Sequence, residues 1–193
     1  MELPIVDQPA PERADAARNR TRVLAAAGEL FAARGIADVT MDDIAARAGV
    51  GKGTLYRRFG DRSGLAAALL DERERDLQSR ILTGPPPLGP EAPPAHRLGA
   101  FVRAYLEFLD ASLGLVLLSQ TSTVGARHRT GSHQFWVSHC RIQFEAAGAP
   151  DPAIRAESLL AALTAEHVQH LRETYDPDQL AAALTRLAES LAR

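Results

Sequence analysis

Apolar residues recur at helical spacing through nearly all of the chain, and no stretch alternates in the manner of a strand. The first helix is expected from about Asp15 to Arg34, with Val23, Ala27, Leu30 and Phe31 as its buried stripe and Gly35 as its stop. Ile36 and Val39 then return the chain to a core. Two short helices follow, at about Met41–Ala48 and Gly51–Phe59. A fourth begins after Asp61 and continues to about Leu82, where the alternating charges Glu72, Arg73, Glu74 and Arg75 read as a solvated face. Gly84–Pro94 (GPPPLGPEAPP) breaks the pattern, and its prolines predict a stiff, extended spacer. Beyond it, helices are expected at about Ala95–Ala111, Leu113–Thr123, Ser132–Ala147, Pro152–Thr174 and Pro177–Ala192. Asp151 and Asp176 each precede a proline as candidate N-caps. The chain reads as all-α.

The segment Thr40–Arg62 (TMDDIAARAGVGKGTLYRRFGDR) carries the most chemistry. Thr40 and Asp43 have the spacing of a capping box. Ile44, Ala45 and Ala48 make an apolar stripe, and Gly49 supplies a left-handed stop. In the second helix Leu55 and Phe59 lie four apart and face inward together. Thr54, Arg57 and Arg58 fall on the opposite face, with Lys52 and Gly53 at the helix start. This layout fits a helix presented to the major groove of DNA; an ordinary pair of helices with solvated charges is the plainer alternative. A phosphate-binding loop does not fit at Gly51–Thr54, because Gly53 follows Lys52, position 46 is alanine and a helix precedes the segment.

Charge sharpens this picture. The 193 residues carry a formal net charge of −2. Residues 13–62, however, hold ten Lys and Arg against six Asp and Glu, and residues 63–193 hold twelve against fifteen. A basic N-terminal module on an acidic body suits nucleic-acid binding by one part. One cysteine, Cys140, leaves no internal disulfide framework and fits a reducing cytoplasm. The N-terminus lacks the pattern of a signal peptide, and the longest apolar run is too short to span a membrane.

With those residues laid out, Thr40–Leu65 closely resembles the helix-turn-helix signature of the tetracycline-repressor (TetR) family of bacterial transcription regulators. The recognisable part covers about residues 15–65; beyond residue 84 the likeness is in helix order alone. The resemblance implies an N-terminal three-helix DNA-binding module plus a C-terminal helical ligand-binding and dimerisation domain. The corresponding divisions are a disordered tail at 1–14, the DNA-binding domain at 15–62, the connecting fourth helix at 63–83, the linker at 84–94 and the sensor domain at 95–193. It also implies roles. Thr40, Tyr56 and Arg62 would touch phosphate, Lys52, Gly53 and Thr54 would meet the groove, and Arg57 and Arg58 would complete the reading face. Gly51 stands where Ser or Thr is common in the family, and the paired arginines are more basic than usual. They could read guanine edges or simply hold phosphates.

The same resemblance implies a homodimer formed through the last two helices, with Leu163, His167, Leu180, Leu184, Leu187 and Leu191 as candidate interface residues. It places a small-molecule effector among the middle helices. Candidates there are Phe101, Tyr105, Phe108, Gln120, Thr123, Phe135, Trp136, His139, Cys140 and Gln143, a mix of apolar walls and a few polar groups suited to such sites. No catalytic constellation, metal site or cofactor is expected. His128, His133 and His139 share no helix face, and the Glu166-His167…His170 run inverts the zincin order. The implied function is a cytoplasmic repressor, released by a small molecule from a near-palindromic double-stranded DNA operator. A small helical enzyme and a non-sensing interaction protein are the alternatives.

Overall fold

The computed structural model of the chain describes residues 11–119 and 123–193, and for residues 11–14 and 123–130 the helical backbone alone. Among these residues the elements are α1 (Pro11–Arg34), α2 (Met41–Ala48), α3 (Lys52–Phe59), α4 (Arg62–Thr83), α5 (Pro94–Ser119), α6 (Thr123–Ala146), α7 (Pro152–Ala161), α8 (Ala165–Arg172) and α9 (Pro177–Leu191), with no strand. Two apolar cores organise them. The N-terminal head packs Val23, Leu24, Ala27 and Phe31 of α1 against Ile44 and Ala45 of α2, Leu55 and Phe59 of α3, and Leu65, Ala66, Leu69 and Leu70 of α4. The larger body packs Leu77 and Ile81 of α4 with α5, α6, α7, α8 and α9 around Phe101, Trp136, Phe144 and Leu159.

Local chemistry sets the head. The Thr40 hydroxyl accepts from the Asp43 N–H, and the Asp43 carboxylate accepts from the Thr40 N–H at 2.9 Å, closing the capping box. These hydrogen bonds, aided by nearby Arg34, hold the exposed Asp43 carboxyl below its ordinary value. Gly49 adopts φ 62°, the left-handed conformation that ends α2. Asp61 caps α4 by accepting from the Gly64 N–H at 2.8 Å. Gly64 is required sterically, since a Cβ there would overlap the Phe59 carbonyl oxygen.

Elsewhere the structure departs from the sequence pattern. α1 begins at Pro11, ahead of Asp15; the expected disordered residues 1–10 lie outside the described residues. α5 runs unbroken to Ser119, through the expected gap near residue 112. Gly114 lies within it, and a Cβ there would sit 2.6 Å from Ile36 Cδ1, so the helix passes closely over the loop between α1 and α2. Leu115, one residue on, is buried in the head core. α6 starts at Thr123 rather than near Ser132. The single helix expected over 152–174 is two, α7 and α8, and the turn between them puts Leu163 into the body core.

Two caps and a linker differ as well. Asp176 accepts from the Asp178 and Gln179 N–H groups as expected. Asp151 instead takes a left-handed φ of 50° and makes no side-chain cap bond. Gly84–Pro94 is no extended spacer. It folds into turns, includes a cis Pro86–Pro87 peptide, and buries Leu88. Arg97 fastens it by donating to the carbonyls of Ile81 and Leu88. Glu74, expected on a solvated face, is 6% exposed and accepts from the Ser132 hydroxyl. Its neighbour Arg73 donates to the Ala111 carbonyl and to Ser112, tying α4 to α5.

Because the Gly64 site has no room for a methyl group beside backbone, Gly64→Ala is expected to destabilise the protein by about 2 kcal/mol or more. Urea denaturation of the two proteins checks this, and an unchanged midpoint would refute the packing described.

Candidate nucleic-acid interface and effector cavity

α3 has two sharply different faces. Leu55 and Phe59 are 1% and 9% exposed, whereas Lys52, Gly53, Thr54, Tyr56, Arg57 and Arg58 face solvent. The helix opens at Gly51, which is extended at φ −67° and makes no side-chain cap bond. With no hydroxyl there, the first N–H groups of α3 keep no side-chain acceptor, and the positive end of the helix points outward.

The cations of this face divide by what they already hold. Lys52 pairs with Asp42 of α2, and this hydrogen bond raises its pKa. Arg58 donates to the Ala16 carbonyl of α1 at 2.9 Å. Arg62 donates to the carbonyls of Ala37 and Val39, at 3.1 and 3.2 Å, bracing the loop before α2. The Arg57 side chain makes no hydrogen bond or ion pair to another described residue and is exposed. Thr40 is exposed while its hydroxyl serves the cap. The bracing contacts of Arg58 and Arg62 were not foreseen in the sequence. Both acceptors are backbone carbonyls on other elements, which residue types alone do not reveal.

In the body, a cavity of about 260 Å³ is lined by Leu70 and Glu74 of α4, Tyr105, Phe108, Leu109 and Val116 of α5, Ser132, His133 and Trp136 of α6, and Thr164, Ala165 and Glu166 at the start of α8. Of the expected effector residues, Tyr105, Phe108 and Trp136 reach it. Phe101 and Cys140 are fully buried behind it, and His139 and Gln143 are buried with them. Phe135 meets Trp136 edge-on, with ring centroids 5.1 Å apart, outside the cavity lining. Gln120 and the Thr123 side chain lie outside the described residues. Glu74, Ser132 and Glu166 were missed. The signal for Glu74 was present: it occupies the stripe Leu70, Glu74, Leu77, Ile81, where helical spacing points inward. A larger cleft, about 430 Å³, separates α1 from α3 within the head.

The candidate dimer residues also separate. Leu163, Leu180 and Leu184 are buried within the chain's own core, where α9 packs on α5. Those three leucines are thus covered within the chain. Leu191 is partly buried, Leu187 is 40% exposed, and His167 is exposed.

The described residues thus form a helix-turn-helix head on a helical, cavity-bearing body. Residues 23–69 match the family described as "Bacterial regulatory proteins, tetR family". The HTH-type transcriptional regulator SrpR of Pseudomonas putida is 38% identical over 65 residues, which cover 34% of this chain and 30% of that one. The matched segment thus spans less than half of that relative. The solved structure of a TetR/AcrR-family regulator from Thermobifida fusca superposes with a TM-score of 0.67 at 20% identity, covering 88% of this chain and 96% of that one. NalD, the secondary repressor of the MexAB-OprM multidrug efflux pump in Pseudomonas aeruginosa, superposes with a TM-score of 0.61 at 21% identity, covering 90% and 96%. The N-terminal segment is thus similar to the tetR family of bacterial regulatory proteins, and the chain shares its fold with the solved regulators named above.

The buried histidine gives a pH signature. Burial first, and then the charge of Arg97, push the His139 imidazole down to about 4. Its Nε2 has no hydrogen-bond partner among the described residues. Above its unfolded value of about 6.5 both states are neutral; below it the unfolded chain takes up a proton that the native state refuses. Stability should therefore fall by on the order of 3 kcal/mol from about pH 6.5 to below about pH 4 through this one group. Denaturation at about pH 7 and about pH 4.5 should show His139→Leu losing less stability than the parent, and equal losses would overturn this account.

Proposed function

We propose that the protein is a DNA-binding transcriptional regulator, acting in the cytoplasm as a homodimeric repressor that a small molecule releases from its operator. The observation that carries this reading is the outward face of α3, where Lys52, Gly53, Thr54, Tyr56 and Arg57 share one exposed surface while Leu55 and Phe59 anchor the helix. Backbone N–H groups and cations there suit phosphate, and Arg57 is placed to reach either a guanine edge or a phosphate. NalD, which shares the fold, is a repressor by its description.

Two copies would set two such helices about one turn of DNA apart, which calls for a near-palindromic operator. Exposed Leu187 on α9 offers an apolar position for the second copy. Release would work through α4. Arg62 at its start braces the head, and Glu74 lines the body cavity about 18 Å further along the helix axis. A ligand that shifts α4 would change the head's setting, so ligand and DNA must weaken each other's binding by the same factor.

Fluorescence anisotropy with the DNA flanking the gene, at several salt concentrations, tests the reading. Specific binding with a steep salt dependence is expected. Arg57→Ala should weaken it by about tenfold or more with an unchanged melting temperature. Arg62→Ala should lower both affinity and melting temperature, because it removes a brace of the head. Absence of salt-sensitive DNA binding by the parent would overturn the proposal.

A further inference from the structure

Two side chains of the body cavity carry polar handles that the protein itself leaves unused. Tyr105 and Trp136 both line it, with ring centroids 5.9 Å apart and ring planes at 70°. A buried tyrosine hydroxyl or indole N–H ordinarily finds an acceptor, because leaving it unpaired costs its desolvation. Trp136 is 3% exposed, yet neither its side chain nor that of Tyr105 hydrogen-bonds to another described residue. Among the described residues, the side-chain atoms shut away without a partner are His139 Nε2, Arg172 Nε and Thr185 Oγ1. The Tyr105 oxygen and the Trp136 nitrogen are not among them, so both keep access to open space, and the space beside their rings is the cavity. Burial first, and then the charges of Glu74, Cys140 and Glu166, push the Tyr105 phenol up, so it stays a neutral O–H donor. Thr164 opens α8 on the same cavity with no side-chain cap bond, which leaves the first N–H groups of that helix without a side-chain acceptor. The remaining polar groups are engaged: Ser132 donates to Glu74, His133 Nε2 lies 3.3 Å from Glu157, and Glu74 and Glu166 have further interactions of their own. Recognition in this cavity therefore turns on its donors.

We infer that the cavity takes a neutral ring compound bearing a carbonyl group, such as an aryl ketone or lactone, whose oxygen accepts from the Tyr105 hydroxyl and the Trp136 indole N–H. A carbonyl oxygen has two lone pairs and can serve both donors at once. Phe108, Leu70, Leu109 and Val116 supply the apolar wall for the ring. The volume of about 260 Å³ lies at the small end of ligand sites and suits one or two fused rings. Neutral donors match a neutral acceptor, whereas a carboxylate would lose more hydration than they return, and no Lys or Arg stands among the described lining residues. This inference names the effector class for the regulator proposed above and rests on that reading for its consequence, though the binding preference can be measured without DNA.

Isothermal titration calorimetry of the full chain tests this with three probes: 1-tetralone, tetralin, which lacks the oxygen, and tetralin-1-carboxylate, an anion on the same skeleton. 1-Tetralone is expected to bind at least about tenfold more tightly than tetralin, since a site with unpaired donors rejects a ligand that cannot accept. The carboxylate is expected to bind more weakly than the ketone. Tyr105→Phe and Trp136→Phe should each cut the ketone's advantage severalfold, and Tyr105→Phe, which keeps the ring, should leave tetralin unchanged. Phe108→Leu removes no donor and should leave the ratio of ketone to tetralin affinity as it is in the parent. Should Trp136→Phe not fold, Tyr105→Phe decides alone. Equal or tighter binding of tetralin or of the carboxylate, no binding of 1-tetralone, or a full ketone preference in Tyr105→Phe would overturn the inference. A parent that prefers the ketone and yet binds no DNA would defeat the regulator reading and leave this one standing. A parent that binds DNA with steep salt dependence and shows no ketone preference would do the reverse.

Discussion

One helix belongs to two cores. The first half of α4 gives Leu65, Ala66, Leu69 and Leu70 to the head, and its second half gives Leu77 and Ile81 to the body. Over its 22 residues the helix is about 33 Å long and contains no proline to kink it. Neither core can be repacked along α4 without turning or sliding a rod that the other core also grips. The devices around the helix serve this arrangement. Asp61 and Gly64 fix its start, Arg20 of α1 meets Asp71 at 3.5 Å, and Arg73 ties its middle to α5. The cavity lies against the same helix, lined by Leu70 and Glu74 between the residues it gives to the two cores.

The charges of the head show why a net count is a poor guide to an interface. Its basic excess is real, but much of it is occupied internally. Arg47 binds Glu29, Lys52 binds Asp42, and Arg58 and Arg62 hold carbonyls of α1 and of the loop before α2. Exposed pairs of this kind contribute little to stability, so they remain available to exchange a carboxylate for a phosphate. A guanidinium held by a carbonyl retains further N–H donors. Arg57 starts without such commitments, which makes it the most economical probe of the surface.

The head was legible in the sequence because its determinants are close neighbours: a cap closed across three residues, a glycine stop, an apolar pair four apart. The body was less so, because its determinants are distant. The end of α5 passes close over Ile36 at Gly114, a contact some eighty positions apart in the chain. The break before α8 depends on a place in the core for Leu163. Charged neighbours disguised Glu74, although its helical position pointed inward. Leu180 and Leu184 announced a buried face on α9 correctly, but periodicity cannot say whether the cover comes from the same chain or another. Here α5 supplies it.

Gly114 and Leu115 carry a mechanical consequence. The last turns of α5 rest on the head, with Gly114 against Ile36 and Leu115 inside the head core, while α4 enters the head at a separate place. A body joined by α4 alone could tilt and twist about that single stem. Joined at two separated places, the head is restrained more than that stem alone would restrain it. A force applied to the body therefore reaches the head along two separate paths, through α4 and through the end of α5.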